Sequence, residues 1–241
     1  MTFIPATSSS DPAEIKKFNQ LADQWWDLTG PFKTLHHINP ARMAFIMQHI
    51  QLANKKVADI GCGAGILTEA LARERANVTG IDLAGDVIKV AQKHAQHQGL
   101  IIDYQQSSIE HLAARYPNCF DVVICMEMLE HVPTPQLIVE HCANLAKPEG
   151  WIFFSTINRN LKSYLGAIIA AEYILQLLPK HTHNYNCFIK PAELATWARV
   201  AQLNVVAVQG LHYVPWLNNQ SRLGSDISIN YLMACQKTKN S

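Results

Sequence analysis

The chain predicts an α/β fold built on a doubly wound, mostly parallel sheet, and three observations carry that prediction. Strand-like runs alternate with helical patterns from residue 57 to 155, the runs are apolar on both sides, and a glycine-rich turn joins the first run to the first helix of the alternation. Strands separated by helical stretches of about 10–15 residues mark βαβ units and hence a parallel sheet covered on both faces. Val122 to Cys125 fits such a strand, because burial on two faces needs apolar side chains on both.

In chain order, Asp11 to Gln51 reads as helical. Ile15, Phe18, Leu21, Ala22 and Trp25 recur at helical spacing, and Asn39 with Pro40 supply an N-cap and first-turn signal for a helix carrying Met43, Ile46, Met47 and Ile50. Val57–Ile60 then reads as a strand, Ile66–Glu74 as a helix, Val78–Ile81 as a strand and 85–98 as a helix stopped by Gly99. A strand near 101–105, the strand 121–125, the helix 135–147 and the strand 151–155 continue the alternation. About 30 residues then interrupt it, including an apolar helix over Leu161–Leu178. A helix opening at Pro191 and strands near 205–210 and 229–236 follow; with only a loop expected between them, these strands should pair antiparallel. The predicted organisation is a tail and helical cap over 1–52 and a sheet domain over 53–241 with an insert at 160–187.

Composition narrows the function. With 49% hydrophobic and 16% charged residues the chain has apolar surface enough for a sizeable core, which excludes disorder. A net charge of +1 gives no bulk attraction for nucleic acid. The six cysteines contain no C-x-x-C, which fits reduced, mostly buried thiols in a cytoplasmic protein. The segment Met1–Pro12 lacks a basic, then apolar, leader pattern and reads as a frayed tail. Tyr164–Leu178, the most apolar window, contains Glu172 and falls short of the about 20 residues needed to cross a bilayer.

The turn Asp59-Ile60-Gly61-Cys62-Gly63-Ala64-Gly65 lets the backbone bend tightly and presents main-chain N–H groups to a ligand. Dinucleotide sites use G-x-G-x-x-G; here Ile66 occupies the position of the third glycine, so no pyrophosphate seat is implied. Asp82, 21 residues beyond Gly61 and just past a strand, stands where an acid accepts ribose hydroxyls, with Leu83 beside it. At the end of the fourth strand, Met126 would line the crevice. Glu127, Glu130 and His131 place two carboxylates and an imidazole within five residues. They suit a general base (His131 with Glu130) or, all three together, the ligands of one divalent cation such as Mg2+. A helix start or surface pair is the plainer alternative for Glu130 and His131.

The words D-I-G-C-G-A-G and V-T-G-I-D resemble the S-adenosylmethionine-dependent methyltransferases, which implies a seven-stranded sheet with a reversed last strand pair. In that likeness Asp59, Gly61 and Gly63 approach the methionine end of the cofactor, and Ser108 and Ile109 the adenine, although the family often has an acid where Ser108 stands. More closely, W-W-D at 25–27, H-H-I-N-P-A-R at 36–42, C-M-E-M-L-E-H-V at 125–132, F-F-S-T-I-N-R-N at 153–160, P-K-H-T-H at 179–183 and F-I-K-P-A-E-L at 188–194 resemble the ubiquinone-biosynthesis O-methyltransferase family. That resemblance implies O-methylation of 2-polyprenyl-6-hydroxyphenol and of 3-demethylubiquinol, with Arg42 as a further cofactor contact. A guanidinium on a helix can clamp a carboxylate bidentately. Ala64, His37 and Asn184 to Asn186 depart from the family's pattern without removing a candidate group. The insert then reads as an interfacial or substrate-covering helix flanked by Lys162 and Lys180, in place of an ordinary core helix. Expected partners are a polyprenylated phenol or quinol, the inner membrane surface met peripherally through 162–180, and a complex of ubiquinone-biosynthesis enzymes. A nicotinamide dehydrogenase, a non-catalytic binding module and a carbon- or nitrogen-directed methyltransferase are the competing readings.

Overall fold

A computed structural model describes residues 10–160, 187–214 and 220–239. Among them the helices are α1 (Pro12–Gln20), α2 (Lys33–Met47), α3 (Ile66–Arg73), α4 (Gly85–His97), α5 (Ile109–Arg115), α6 (Pro135–Leu145) and α7 (Pro191–Val200). The strands are β1 (Lys56–Ile60), β2 (Asn77–Asp82), β3 (Asp103–Gln106), β4 (Phe120–Met126), β5 (Ala146–Ile157), β6 (Leu203–Val214), β7 (Gln220–Gly224) and β8 (Asn230–Lys237). They form one sheet in the order β3-β2-β1-β4-β5-β8-β6-β7. The first five strands run parallel; β8 enters antiparallel between β5 and β6. The order reverses at β1 and β4, so the carboxyl ends of these two strands flank the crevice where open α/β sheets bind ligands.

The sheet is buried on both faces, as its unalternating strands require. Ala58, Ile60, Val123, Cys125, Ile152 and Phe154 pack under α5, α6 and α7. Their sequence neighbours Val57, Val122, Ile124 and Phe153 pack under α2 and α3. The period of two along each strand sends adjacent residues to opposite layers. All six cysteines are unpaired, and Cys62, Cys125, Cys142 and Cys235 are buried.

Several local expectations are corrected. Asn39 and Pro40 do not open a helix, because α2 begins at Lys33 and runs through them. Pro40 has no N–H and forfeits an intrahelical hydrogen bond, a cost of about 3 kcal/mol. Burial of Ile38, Ala41, Phe45 and Ile46 against the sheet offsets it. The Asn39 amide, freed from capping, donates instead to the carbonyl of Ile66 at the start of α3. The sheet has eight strands where seven were expected: β7 intervenes in sequence between the last expected pair and adds to the β6 edge. The helix α5 was not anticipated; Ser108 caps it by accepting from the N–H of His111. The insert helix proposed for 161–178 lies outside the described residues.

Phe153 is fully buried, edge-on to Phe45 with centroids 6.0 Å apart and stacked with Trp151. Phe153→Ala opens a cavity between α2 and the sheet and is expected to cost about 3–5 kcal/mol. Guanidinium unfolding checks this: the midpoint should fall while the slope stays unchanged.

Candidate active site

The loop leaving β1 is the first wall of the crevice. Gly61, Gly63 and Gly65 all have left-handed backbones, with φ of +68°, +55° and +92°. A Cβ on Gly63 would lie 2.4 Å from Cζ2 of Trp25, and one on Gly65 2.1 Å from the Tyr104 hydroxyl oxygen. Glycine is thus required both by torsion and by close protein neighbours. The loop is tied to the end of β2, where Asp82 accepts from the N–H of Gly63 at 3.0 Å and of Ala84 at 2.8 Å. Burial pushes the Asp82 carboxyl up, and these backbone donors oppose the shift. The two oxygens carry four lone pairs against the backbone donors of Gly63, Leu83 and Ala84, so acceptor capacity for a ligand hydroxyl remains.

Arg42 projects from α2 and is only 4% exposed. Its Nη2 is 3.5 Å from Oε1 of Glu127, and neither Nε nor Nη2 has a hydrogen-bond partner. Asp59, at the end of β1, accepts from the Thr68 hydroxyl at 2.6 Å. Burial raises the Asp59 carboxyl to about 6, against the pull of Thr68 and of the Arg42 charge. A buried guanidinium with unused donors beside a left-handed glycine loop fits a ligand carrying a carboxylate. The amino-acid end of S-adenosylmethionine is such a group, and Asp82 suits its ribose.

At the end of β4 the chain turns sharply through Glu127, whose φ of +55° is costly for a side chain of this kind. The turn is held by β5: the Glu127 N–H donates to the carbonyl of Ser155, and the Ser155 hydroxyl donates to Glu127 Oε1 at 2.6 Å. One 3-10 turn, Leu129–His131, follows. Glu130 is 6% exposed; its Oε2 accepts from the Thr156 hydroxyl at 2.7 Å while Oε1 has no partner. Burial and the charge of Glu127 push its carboxyl up to about 7. His131 reaches the other way, its Nδ1 lying 2.8 Å from Oε2 of Glu14 and its ring edge-on to Phe18. Burial disfavours the imidazolium, but the Glu14 hydrogen bond and the Glu130 charge outweigh it and raise the histidine.

Glu127, Glu130 and His131 are therefore close in sequence without converging as a ligand set. Each turns to a different protein partner, Ser155, Thr156 or Glu14, and among the described residues no three His, Cys, Asp or Glu side chains are arranged to hold a metal ion. The cation site expected from Glu127, Glu130 and His131 is thus not supported among the described residues, although the three remain close enough for the charges of Glu127 and His131 to act on Glu130.

Of the other anticipated residues, Met126 is buried in the layer under α2, directly before Glu127. The Leu83 carbonyl accepts from Gln106 at the end of β3. Ser108 is occupied as the α5 cap, and Ile109 turns its side chain into the core.

Sequence reasoning missed Glu14, Trp25, Trp26, Thr68, Ser155 and Thr156. Ser155 and Thr156 end the apolar β5 run, a polar pair that could have been read as facing the crevice. The N-terminal residues reach the site across the fold. Trp26 donates its indole N–H to the carbonyl of Ala64 at 3.0 Å and stacks on His94, so the segment after α1 lies directly on the glycine loop.

A methyltransferase-domain family model matches residues 58–154. A ubiquinone biosynthesis O-methyltransferase from Burkholderia multivorans is 51% identical over 230 residues, 95% of this chain and 99% of that relative. Another of the same name, from Paraburkholderia xenovorans, is 50% identical with the same coverage. Among solved structures, magnesium protoporphyrin IX methyltransferase from Synechocystis with bound SAH superposes with a TM-score of 0.67 at 18% identity, covering 94% of this chain and 98% of that one. A possible histamine N-methyltransferase from Thermotoga maritima gives 0.68 at 14% identity, covering 93% and 99%.

The raised Asp59 has a measurable consequence. Its folded-state value near 6 exceeds the reference 3.8, so between about pH 4 and 6 the unfolded chain gives up this proton first and stability drains away as pH rises. Asp59→Asn removes that dependence. The stability of the variant relative to the parent should rise by on the order of 2–3 kcal/mol from pH 4 to 7 in urea unfolding. A difference independent of pH would contradict the assignment.

Proposed function

The chain belongs to the ubiquinone biosynthesis O-methyltransferase family, and on that premise we propose that it transfers a methyl group from S-adenosylmethionine to ring hydroxyls of 2-polyprenyl-6-hydroxyphenol and 3-demethylubiquinol. The observation that carries the chemistry is the buried Arg42, with Nε and Nη2 unpartnered and its charge acting on Asp59, the residue that leads into the left-handed glycine loop. The cofactor, when bound, supplies an activated methyl group on a sulfonium. The protein must hold it, align the phenol in line and make its oxygen nucleophilic.

Arg42 binds the cofactor carboxylate, while Asp59, Gly61 and Gly63 hold the backbone open for the methionine end. Asp82, with Leu83 beside it, accepts the ribose hydroxyls, and Met126 gives an apolar wall. Ser108 and the Ile109 backbone border the adenine. A phenol, with a reference pKa of about 10, is almost wholly protonated at neutral pH. His131 takes that proton, and Glu130, whose Oε1 has no partner, stabilises the imidazolium so formed. A version assisted by Mg2+ would require Glu127, Glu130 and His131 to exchange Ser155, Thr156 and Glu14 for one another, and chelator-sensitive activity restored by Mg2+ is the sign of that rearrangement. The polyprenyl tail we assign to the apolar segment Tyr164–Leu178, which lies outside the described residues. This contact makes the enzyme peripheral at the membrane and within reach of other enzymes of the pathway. No helix among the described residues is long and apolar enough to cross a membrane.

The test is transfer of labelled methyl from the cofactor to a short-chain demethylubiquinol and to a prenylated catechol. His131→Ala should lower kcat by about 10²–10⁴-fold with cofactor affinity unchanged, and Arg42→Met should weaken cofactor binding about tenfold or more. Full turnover by His131→Ala would remove the base, and no transfer to either acceptor would remove the substrate reading. In flotation with anionic phospholipid vesicles the parent should rise with lipid and Ile169→Glu should not. Equal, negligible recovery of both would overturn the membrane contact.

A further inference from the structure

The glycine loop does not hold its own shape. Gly61, Gly63 and Gly65 have left-handed backbones that glycine enters readily and leaves as readily, so a loop carrying all three needs its neighbours to keep it ready for a ligand. Some anchors lie in the loop and the strand beside it: the N–H groups of Cys62, Gly63 and Gly65 donate to the carbonyl of Ile81, the Asp82 side chain and the carbonyl of Cys62. Another comes from 38 positions earlier in the chain. The half-buried Trp26 donates its indole N–H to the carbonyl of Ala64 at 3.0 Å, and Ala64 is fully buried.

Trp26 is itself held by the helices on which it rests. Its ring stacks on His94 of α4, with centroids 3.5 Å apart and planes 8° from parallel. Nδ1 of His94 lies 2.6 Å from Oε1 of Glu69, a fully buried side chain in the first turn of α3, the helix that the loop opens. The other oxygen of Glu69 accepts from Arg73. The indole is thus carried by a frame that α3 and α4 build on folding, and its N–H is aimed at one carbonyl of the loop.

We infer that Trp26 is a positioning residue for the cofactor: borne on His94, it fixes the Ala64–Gly65 peptide and so presets the glycine loop for the methionine end of S-adenosylmethionine. The inference rests on the placement of that end at the loop. Such a restraint acts by removing ordering cost from binding, because a loop already held in its bound shape loses less freedom when the ligand arrives. Its effect is selective within the ligand. Asp82, assigned to the ribose, is also anchored by the N–H groups of Leu83 and Ala84, outside the loop. Loosening of Ala64 therefore reaches the amino-acid end of the cofactor and leaves the nucleoside end in place.

The experiment compares two ligands by calorimetry: S-adenosylhomocysteine, and methylthioadenosine, which keeps the nucleoside and lacks the amino-acid end. The proteins are the parent chain, Trp26→Phe, His94→Ala, the double variant Trp26→Phe/His94→Ala, and Arg42→Met. Trp26→Phe keeps an aromatic ring on His94 and loses the N–H donor. It should weaken S-adenosylhomocysteine about 5–10-fold and methylthioadenosine less than about twofold, on the scale of one hydrogen bond. His94→Ala removes the platform and should show the same selectivity. Combining the two should cost little more than either, because both act through one donor. In methyl transfer the KM for the cofactor should rise while kcat at saturation stays near the parent's. Both affinities are read in one preparation, so a variant that folds less well weakens the two ligands together and does not imitate the selective loss. Equal weakening of the two ligands, parent-like affinity for both, or multiplied losses in the double variant would each overturn the inference. If Arg42→Met weakens the two ligands equally, the placement of the methionine end falls and Trp26 with it; if Arg42→Met is selective and Trp26→Phe is not, only the inference about Trp26 falls.

Discussion

The buried guanidinium of Arg42 is the constraint around which the crevice is arranged. A cation placed at 4% exposure loses most of its hydration and stays there only with compensating charge close by. Two carboxylates provide it, Asp59 in β1 and Glu127 directly after β4, and these two strands flank the point where the sheet order reverses. That arrangement explains why α2 passes through Pro40 without ending: stopping at Asn39 would strand Arg42 away from the sheet, whereas the continuous helix delivers it with Phe45 and Ile46 packed beneath. It also explains the turn at Glu127. A left-handed glutamate is costly, and the hydrogen bonds from and to Ser155 hold it where its carboxylate faces the arginine.

The same compensation is incomplete by design of the residues present. Burial raises the Asp59 carboxyl to about 6 even with the arginine close by, and the arginine still has unused donors. A carboxylate-bearing ligand would engage those donors and lower the cost of the buried charge, so ligand binding and stabilisation of α2 against the sheet are linked.

The alternation of strands and helices, the glycine loop, Asp82 and the crevice end of β4 were legible because each depends on residues adjacent in sequence. Period, turn chemistry and strand-end position are local properties. Pro40 was misread for the same reason: its local signal is a helix start, and only tertiary burial of α2 overrides it. Strand β7 was missed because Gln-Ser-Arg-Leu-Gly carries little β pattern and pairs only with an edge. Thr156 and Glu14 were illegible as partners of Glu130 and His131, since 26 and 117 positions separate them and no spacing rule links such pairs. The motif C-M-E-M-L-E-H-V thus suggested a chelate from proximity in sequence, while its three polar side chains take separate partners, Ser155 and Thr156 on β5 and Glu14 on α1.

Satisfaction of hydrogen bonds separates the buried charges that hold the fold from those that face a ligand. Glu69 is fully buried, yet both its oxygens are engaged, one by Arg73 at 2.9 Å and one by His94 at 2.6 Å. Lys237 donates to Asn118 and to the carbonyls of Ala143 and Ala146, closing the end of β8 against α6. Neither leaves donors or acceptors idle, as expected of groups whose role ends with folding. Arg42 and Glu130 are as deeply buried and each carries polar atoms with no partner, a deficit of about 1–3 kcal/mol per group that folding alone would select against. Both border the glycine loop or the turn that follows β4. Among the described residues Glu69 and Lys237 are paired while Arg42 and Glu130 keep unpartnered atoms, the mark of a surface completed by something that binds there.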